Sequence, residues 1–408
     1  MTRPAPMISD RLRPLGESIF AKYTALAIKH GAVNLSQGFP DFDGPADAKA
    51  AAIGAINAGH AQYAPMTGVP PLREAIAHAW AMRGNRPINP DTDVTVTAGC
   101  SEAIVAAMLG FLNPGDEVVI FEPFFDFYAA GAAMTGATAR YVPLRAPARE
   151  GEAFGFDERE LRAAFGPRTR AIIVNTPHNP TGKVFTREEL EVVADLCRRH
   201  DAVAITDEVY EHLTFDPALP HIHLSQLDGM AERTITLSSL GKTFSLTGWK
   251  VGWAIAPPAL GACVRAAHQY LTFSGATPLQ HGAVVPIRDH LCRPGGGEYV
   301  AGLRSLFIRN RDALAAALKA AGLRVHRSDS TYFLMADHTP VSSRLGLADD
   351  HAFCEHLTRE IGVAAIPPSV FYSRKELGRP LVRFAFCKRA DTIDEACRRL
   401  SKLGADAQ

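Results

Sequence analysis

The sequence predicts an α/β fold in which a large domain has a mainly parallel central sheet flanked by helices, with a smaller α+β domain after it. The chain has 408 residues, which is more than one typical domain holds. Short apolar runs and helical patterns alternate from about residue 94 to residue 256, which is typical of a parallel sheet covered on both faces. Beyond this region, a long helical pattern from Glu298 to Ala321 leads to separate strands and helices.

We predict an N-terminal arm at residues 1–47 that contributes to the small domain, a large domain at residues 48–290 and a small domain at residues 291–408. The chain has 43 basic and 43 acidic residues and is 47% hydrophobic and 21% charged, which indicates a folded enzyme rather than a nucleic-acid or membrane-surface binder. No apolar run could span a bilayer and no signal peptide is recognisable, so we expect a cytoplasmic protein. The seven cysteines form no C-x-x-C pair, and we predict neither a disulfide framework nor a metal site.

Helical patterns at residues 18–27 and Ala46–Asn57 flank a loop that is rich in proline and aromatic residues. Within this loop Gly38 lets the backbone approach a ligand closely, and Phe39 could wall a pocket. An ordinary surface loop is the alternative. Tyr63 lies in a second constrained loop, where an aromatic residue is more often packed than in contact with a ligand.

A strand at Val94–Thr97, a turn of small residues at Ala98–Glu102 and a helix at Ala103–Phe111 follow one another. This order outlines a phosphate site, because free N–H groups and the positive end of the helix dipole meet at such a turn. The turn matches neither G-x-G-x-x-G nor the P-loop, so the pattern alone is a weak signal.

Buried strand patterns then alternate with helices, and several of them end in polar or aromatic residues. The strand at Glu117–Phe121 leads to an aromatic cluster that includes Phe125, and the strand at Ala171–Val174 leads to a proline-fixed loop that presents Asn179. Open α/β sheets bind ligands at these strand ends, and an aromatic face there could stack on a planar ring. Ordinary core packing accounts for at least some of the rings. Further patterns lie at residues 139–142, Thr186–Arg199 and Ala202–Thr206.

Asp207 comes directly after the strand at Ala202–Thr206. A carboxylate at the end of a central apolar strand is costly to bury without a cationic partner. The position therefore calls for a positive charge, which a bound ligand could supply.

Lys242 follows the strand at Thr234–Leu237, and we expect it on a short irregular segment before another strand. Small neighbours would admit a bulky ligand, and apolar flanks would lower the pKa of the amine, as a Schiff-base lysine requires. Lys250 adds a second fixed cation. Most lysines are solvated surface charges, so the spacing alone does not distinguish a cofactor site from two ordinary surface lysines.

The C-terminal part of the chain alternates helices with short strands. One strand, Leu381–Phe386, is apolar except for Arg383. A buried guanidinium calls for a planar anion, and a substrate carboxylate fits its two parallel donors. A structural salt bridge is the alternative. Other patterns in this part are helices at Ala259–Tyr270, Pro278–His290 and Asp350–Ile361 and a strand at Tyr332–Met335.

Together these sites suit a planar, positively charged aromatic ring that carries a phosphate and an aldehyde. The whole chain closely resembles the class I/II pyridoxal-phosphate aminotransferases of fold type I. Within them it is similar to the kynurenine aminotransferase, glutamine transaminase K and methionine aminotransferase group, most of all to methionine aminotransferases. The motifs that carry the resemblance, in this order, are Ser36–Phe42, Glu122–Asp126, Asn175–Pro180, Asp207–Tyr210, Ser239–Phe244 and Val382–Phe384.

The resemblance implies pyridoxal 5′-phosphate as cofactor. Lys242 matches the lysine that holds the cofactor and moves the substrate proton. Asp207 matches the carboxylate that keeps the pyridine nitrogen protonated. Asn179 and Tyr210 match the donors to the ring 3-oxygen, and Phe125 matches the stacking ring.

The resemblance also places the cofactor phosphate on Ser239, Lys250 and the turn of Gly99, Cys100 and Ser101. Many members of the broad class carry arginine where this chain has Lys250, whereas the kynurenine and methionine group has lysine. Some relatives have an aromatic residue at the position of Ser101, so the resemblance does not determine what forms the pocket wall there. Tyr63 matches a residue that reaches over from a second subunit, which implies a homodimer with shared active sites.

Arg383 and the Gly38 backbone match the clamp on the substrate carboxylate. Four aromatic residues are expected to line an apolar side-chain pocket: Phe20, Phe39, Tyr63 and Phe273. We therefore expect amino-group transfer from methionine, phenylalanine or kynurenine to a 2-oxo acid by a ping-pong mechanism. A carbon–sulfur β-lyase acting on cystathionine or cysteine conjugates would use the same lysine and is the main alternative. A transcription regulator would need a DNA-binding module that the N-terminal segment does not provide.

Overall fold

A computed structural model describes residues 8–16, 18–149, 151–293 and 297–405. The ends of the predicted N-terminal arm and of the predicted small domain therefore lie partly outside the described residues. The strands are β1 (Val33–Asn34), β2 (Val94–Thr97), β3 (Glu117–Glu122), β4 (Thr138–Pro143), β5 (Thr169–Asn175), β6 (Val203–Asp207), β7 (Thr234–Ser239), β8 (Gly252–Ile255), β9 (Arg324–Val325), β10 (Phe333–Asp337), β11 (Val363–Ala364) and β12 (Leu381–Ala385).

The α-helices connect and cover these strands. They are α1 (Ile19–His30), α2 (Ala46–Asn57), α3 (Pro70–Met82), α4 (Gly99–Phe111), α5 (Asp126–Thr135), α6 (Glu158–Ala164), α7 (Arg187–His200), α8 (Leu240–Thr243), α9 (Pro258–Leu271), α10 (Thr277–Pro286), α11 (Gly297–Ala320), α12 (Thr339–Leu345), α13 (Asp350–His356) and α14 (Ala390–Ala405). Helical turns of the π type extend α10 at Ile287–Leu291 and α13 at Leu357–Ile361.

The central sheet has seven strands in the order β2-β8-β7-β6-β5-β3-β4. Strand β8 runs antiparallel to both of its neighbours, and the other pairs are parallel. This confirms the predicted α/β class with a mainly parallel sheet. The carboxyl ends of β5, β6 and β7 lie side by side at one edge of the sheet, and this edge is where open α/β sheets hold their ligands.

Helices cover both faces of this sheet because successive side chains of a strand point to opposite faces. Val118 and Ile120 of β3 pack in the cluster that includes Ile104 of α4. Val119, between them, packs in the cluster that includes Leu190 of α7. Burial on both faces explains why the central strands read as continuous apolar runs.

Two smaller sheets lie in the C-terminal part of the chain. Strands β12, β10 and β9 form an antiparallel sheet, and β1 pairs in parallel with β11. The N-terminal strand Val33–Asn34 therefore joins elements more than 300 residues later in the sequence. The boundaries of the three predicted segments stay a prediction.

Two local predictions were wrong. Helix α4 begins at Gly99 and not at Ala103, so the predicted turn residues Cys100 and Ser101 form the first turn of the helix. Lys242 lies on α8, a single helical turn, rather than on an irregular segment. In both places a helix starts immediately where a strand ends, and short runs of small residues carry too little periodic pattern to reveal it.

Among the described residues, no helix combines the length and the apolar character that crossing a bilayer requires.

Candidate active site

A cleft opens at the carboxyl ends of the central strands, and its empty space, counted with its open mouth, is about 640 Å³. The residues predicted to bind the cofactor within one chain converge on it. The lining is Gly99, Cys100, Ser101, Ile104, Phe125, Asn175, Asn179, Asp207, Val209, Tyr210, Ser239, Gly241, Lys242, Thr247, Lys250 and Val251.

Lys242 extends from α8 into this cleft. Its Nζ lies 5.8 Å from the centre of the Tyr210 ring and 5.7 Å from that of the Tyr332 ring. Within the part of the chain that the structure describes, no hydrogen bond or ion pair holds this amine. Burial lowers the pKa of the Lys242 amine below its usual value. At neutral pH a lowered pKa leaves a larger fraction of the amine unprotonated, and only the unprotonated amine can act as a nucleophile or accept a proton.

Asp207 ends β6 and is 3% exposed. Its Oδ2 accepts a hydrogen bond from the Tyr128 hydroxyl at 2.6 Å, and the Cys100 thiol lies 3.7 Å from its Oδ1. Burial raises the pKa of the Asp207 carboxyl above its ordinary value, while the hydrogen bond from Tyr128 opposes the rise. A cation placed against this carboxylate would favour its charged form.

Tyr128 is a residue of the site that the sequence did not single out. It belongs to the same aromatic cluster as Phe125, for part of which ordinary core packing was the alternative, yet its hydroxyl reaches Asp207 from α5, 79 residues earlier in the chain. Burial raises the pKa of Tyr128 well above its usual value, so the hydroxyl stays a donor. Phe125 directly precedes α5 and Tyr128 lies in its first turn, and their rings meet edge-on with 5.9 Å between centres.

The first turn of α4 lies beside Lys250. Lys250 Nζ contacts Ser101 Oγ at 3.2 Å, and a Cβ on Gly99 would come within 3.2 Å of the lysine Cε. Gly99 has φ +77°, and Gly252 packs so tightly on this turn that a Cβ there would lie 2.5 Å from the Cys100 nitrogen. Glycine at both positions thus keeps the N-terminus of α4, with its free N–H groups and positive dipole end, open to an anion. Ser239, at the end of β7, lines the same part of the cleft.

The loop after β5 presents Asn179 to the opposite side of the cleft. Asn175, another lining residue that the sequence did not single out, accepts from the Asn179 N–H at 2.7 Å and donates to the Asp207 carbonyl at 2.8 Å. Asn175 therefore ties the Asn179 loop to the Asp207 strand.

Tyr210 is buried, and the Tyr332 ring packs edge-on against it with 5.2 Å between ring centres.

Arg383 lies on β12 and is 2% exposed. Its guanidinium donates to the Ser36 carbonyl at 2.8 Å and lies 3.4 Å from Asn179 Oδ1. Its Nε has no hydrogen-bond partner among the described residues. Burial lowers the pKa of Arg383 to about 10, and the residue remains charged at neutral pH. The predicted salt-bridge alternative finds no support, because no carboxylate within the described part of the chain pairs with Arg383.

Gly38 lies next to the same arginine through the backbone of its loop. The Tyr332 hydroxyl donates to the Gly38 carbonyl at 2.6 Å, and a Cβ on Gly38 would lie 2.6 Å from the Phe333 ring. Any other residue would push this loop away from β10. The predicted carboxylate clamp, Arg383 with the Gly38 backbone, is thus brought together in space.

The predicted side-chain pocket is only partly assembled in one chain. Phe20 lies 5.3 Å from the Arg383 guanidinium, and Phe39 is 42% exposed beside the clamp loop. Tyr63 is 84% exposed and Phe273 is 43% exposed. These two pack edge-on with 5.7 Å between ring centres, and neither lines the cleft.

The chain matches the family described as aminotransferase class I and II over residues 30–400. The chain belongs to the class I and II aminotransferase family. It is 47% identical to a probable N-succinyldiaminopimelate aminotransferase DapC of Mycobacterium tuberculosis, over 97% of this chain and 98% of that protein. It is 39% identical to the methionine aminotransferase of Escherichia coli, over 99% and 100% of the two chains. The solved structure of the N-succinyldiaminopimelate aminotransferase from Mycobacterium tuberculosis superimposes with a TM-score of 0.91 at 48% identity, covering 97% of this chain and 100% of that one.

Members of this family depend on pyridoxal phosphate, and the aminotransferase uses it as predicted. The residues of the cleft fit that cofactor. A buried carboxylate with a raised pKa suits a cationic ring nitrogen, an amine without a hydrogen bond suits an aldehyde, and a helix N-terminus beside a lysine suits a phosphate.

A cluster of two carboxylates and two imidazoles lies next to the cofactor residues but does not line the cleft. The possible ligand atoms of Glu208, Glu211, His221 and His223 lie within 4.8 Å of one another. Glu208 Oε2 contacts His221 Nε2 at 2.8 Å and is also hydrogen-bonded to His223 Nδ1. A zinc ion with bonds of about 2.0–2.1 Å would hold tetrahedral ligands about 3.3 Å apart, so these contacts are those of hydrogen bonds. The cluster anchors the loop that carries Tyr210 between its two glutamates.

Proposed function

We propose that this aminotransferase takes its amino group from L-amino acids with apolar, sulfur-containing or aromatic side chains, such as methionine, phenylalanine and kynurenine. The acceptor is a 2-oxo acid, and the two half-reactions follow a ping-pong order. The observation that carries this choice is the setting of Arg383, because the rings of Phe20, Phe333 and Phe371 lie 5.3, 4.4 and 5.3 Å from its guanidinium. An amino acid whose α-carboxylate binds Arg383 would have its side chain close to these aromatic rings.

In this proposal Lys242 performs the proton transfer. Pyridoxal phosphate, when bound, supplies an aldehyde that exchanges amines and a ring that accepts electrons. Burial lowers the pKa of the Lys242 amine. This amine takes the proton from the α-carbon of the donor in one half-reaction and returns a proton to the α-carbon of the acceptor in the other. Tyr210, packed 5.8 Å from this amine, helps to hold the amine in place.

Asp207 holds a proton on the ring nitrogen of the cofactor. The Tyr128 hydroxyl orients the carboxylate, and Phe125 stacks on the ring. Asn179 and Tyr210 donate to the ring oxygen, while Ser239, Lys250 and the N–H groups of Gly99, Cys100 and Ser101 bind the phosphate. Each of these residues except Tyr128 lines the cleft, which supports the assignment.

Arg383 and the Gly38 backbone bind the α-carboxylate of every donor. The unpaired Nε of Arg383 supports this role, since a buried guanidinium with a free donor is costly unless an anion binds it. Because the α-carboxylate is common to all amino acids, the guanidinium positions the substrate without selecting its side chain, and only the rings around it favour an apolar one.

The aminotransferase is proposed to act as a homodimer with shared sites. Tyr63 and Phe273 form an exposed aromatic pair outside the cleft of their own chain, and exposed rings of this size favour burial against another protein surface. In a second copy of the chain the pair would complete the phosphate site and the side-chain pocket. We propose that this dimer is cytoplasmic and that its two chains share the active sites.

A second donor, N-succinyldiaminopimelate, is favoured by the 47% identity to the relative whose name contains that substrate. Its reacting end has a methylene chain, which the aromatic surround accommodates, but its far end carries further carboxylates. A single experiment separates the two candidates: kcat/KM for methionine, phenylalanine, kynurenine, N-succinyldiaminopimelate and aspartate with one 2-oxo acid acceptor. Methionine, phenylalanine or kynurenine as the preferred donor supports the first proposal, and N-succinyldiaminopimelate supports the second. Pyruvate release from cystathionine, without an acceptor, would reveal the β-lyase.

A further inference from the structure

A buried acid–base pair lies directly behind the proposed phosphate turn. Glu102 is in the first turn of α4, one residue after Ser101, and is 9% exposed. His268 is on α9, 166 residues later in the chain, and is fully buried. The Glu102 carboxylate is thus a negative charge at the helix end that is proposed to bind the negatively charged cofactor phosphate.

The hydrogen bonds of the pair fix its protons. His268 Nε2 contacts the Met66 carbonyl oxygen at 2.9 Å, and only a protonated Nε2 can donate to a carbonyl. His268 Nδ1 lies 2.7 Å from Glu102 Oε1, so one further proton is held between them. The same carboxylate accepts from the Thr272 hydroxyl at 2.6 Å and from the Ala98 N–H at 2.5 Å. The pair therefore has no net charge.

Electrostatics favours an imidazolium beside a carboxylate within this pair. Burial alone would lower the pKa of His268, but the hydrogen bond to Glu102 and its charge raise it overall. Burial alone would raise the pKa of Glu102, but the hydrogen bonds from His268, Thr272 and Ala98 lower it overall. The Ala98 bond also attaches the carboxylate to the backbone of the phosphate turn itself.

We propose that His268 is a positioning residue for the cofactor phosphate: its positive charge cancels that of Glu102, so that the N-terminal turn of α4 attracts the phosphate. The inference rests on the proposed phosphate site. Without the imidazolium, Glu102 would stay ionised through the Ala98 and Thr272 hydrogen bonds and would repel the phosphate. A purely structural role, in which the pair merely fastens α9 to α4, makes different predictions for the variants below.

The two interpretations are distinguished by three variants that remove charge: His268→Gln, Glu102→Gln and the double variant. Glutamine at 268 can donate to Glu102 but carries no charge. Glutamine at 102 can accept from Ala98 and donate to a neutral His268, so the single Glu102→Gln variant also has no net charge. We expect His268→Gln to weaken pyridoxal phosphate binding by about tenfold, and the other two variants to bind it within about twofold of wild type.

Affinities are measured by titrating the full-length apoenzyme with pyridoxal phosphate and with pyridoxal, following visible absorption. Pyridoxal lacks the phosphate, so its affinity should not change in any of the three variants. Restoration of phosphate-dependent affinity in the double variant is the decisive result. Equal weakening of both ligands, or a double variant that binds worse than either single one, would show that the pair is only structural. His268→Asn repeats the uncharged change if His268→Gln folds poorly in thermal unfolding.

Lys250→Met distinguishes failure of this inference from failure of the phosphate site. That variant should lower the affinity ratio of pyridoxal phosphate to pyridoxal. If it does so while His268→Gln leaves the ratio unchanged, the phosphate site stands and the role of His268 is refuted. If neither variant changes the ratio, the phosphate lies elsewhere and the inference is overturned with the site on which it rests.

Discussion

The cofactor cleft and the exposed aromatic pair contrast in how complete they are within a single chain. In the cleft, Asp207 is 3% exposed and is already hydrogen-bonded to Tyr128, and Arg383, beside the lining residue Asn179, is 2% exposed. Tyr63 and Phe273, by contrast, are 84% and 43% exposed and contact each other outside the cleft. The groups proposed for chemistry are therefore preorganised, whereas the groups proposed for side-chain selection are not yet enclosed.

This difference follows from what each group must do. A carboxylate or an amine needs a fixed, dry environment to have a shifted pKa, and one chain supplies it through the central sheet. An apolar pocket needs only surface area, which a second copy of the chain can supply. Substitutions in the cleft should thus affect all donors equally, and substitutions in the aromatic pair should affect large donors selectively.

Lys242→Ala should have the largest effect, because no other described amine lies in the same position of the cleft. We expect loss of at least about 10³-fold in kcat, the scale of general acid–base catalysis, for every donor. The visible absorption of the bound cofactor should also change. Lys250→Ala, expected to weaken cofactor binding but to retain turnover at saturating cofactor, serves as a control for loss of a nearby cation. Multiple turnover with an unchanged spectrum in Lys242→Ala would refute the assignment.

Asp207→Asn should come next. An amide cannot hold the proton on the ring nitrogen, and a loss of about 3 kcal/mol in transition-state stabilisation corresponds to roughly a hundredfold in kcat. Asp350→Asn, at a buried acid with a raised pKa outside the cleft lining, is the matched control. The prediction fails if the Asp207 variant has its native circular dichroism spectrum together with a near-normal kcat.

Arg383→Lys keeps the charge but loses the two parallel donors. We expect kcat/KM for methionine, phenylalanine, alanine and aspartate to fall together by about 2 kcal/mol. A fall confined to one donor would contradict the carboxylate clamp and would instead place Arg383 beside a side chain.

Phe273→Ala tests the other half of the comparison. It removes apolar contact that only large side chains use, so kcat/KM should fall by about tenfold for methionine and phenylalanine and much less for alanine. The oligomeric state is measured in parallel by light scattering, with Leu271→Ala as the neighbouring exposed control. Equal losses for all donors in an intact dimer would argue that Phe273 does not select the side chain.

Tyr128→Phe should have the smallest effect, about 1 kcal/mol, since one hydrogen bond to Asp207 is lost while the ring remains. That hydrogen bond lowers the pKa of Asp207 against the rise caused by burial. Its removal should raise the pKa further, so the acid limb of the pH–kcat profile should move to higher pH. Tyr141→Phe is the control, and an unshifted acid limb would show that Tyr128 does not tune Asp207.

Most of the cofactor site could be predicted because its residues follow directly after strands. Asp207 and Ser239 end β6 and β7, Asn179 and Lys242 follow β5 and β7, and parallel strands bring their carboxyl ends together. Their clustering therefore followed from the alternation of strands and helices. The start of α4 was placed four residues too late and α8 was not predicted, because short runs of small residues carry too little periodic pattern.

What the sequence determined by itself was the order of the strands and helices and the identity of the residues at the strand ends, since both are written in local periodicity. What only the tertiary structure decided was which distant side chains meet. Tyr128 reaches Asp207 across 79 residues, and His268 reaches Glu102 across 166. The exposure of Tyr63 and Phe273 was also decided there. Such contacts depend on how helices pack over the sheet, and nothing in a local pattern specifies the partner of a side chain so far along the chain.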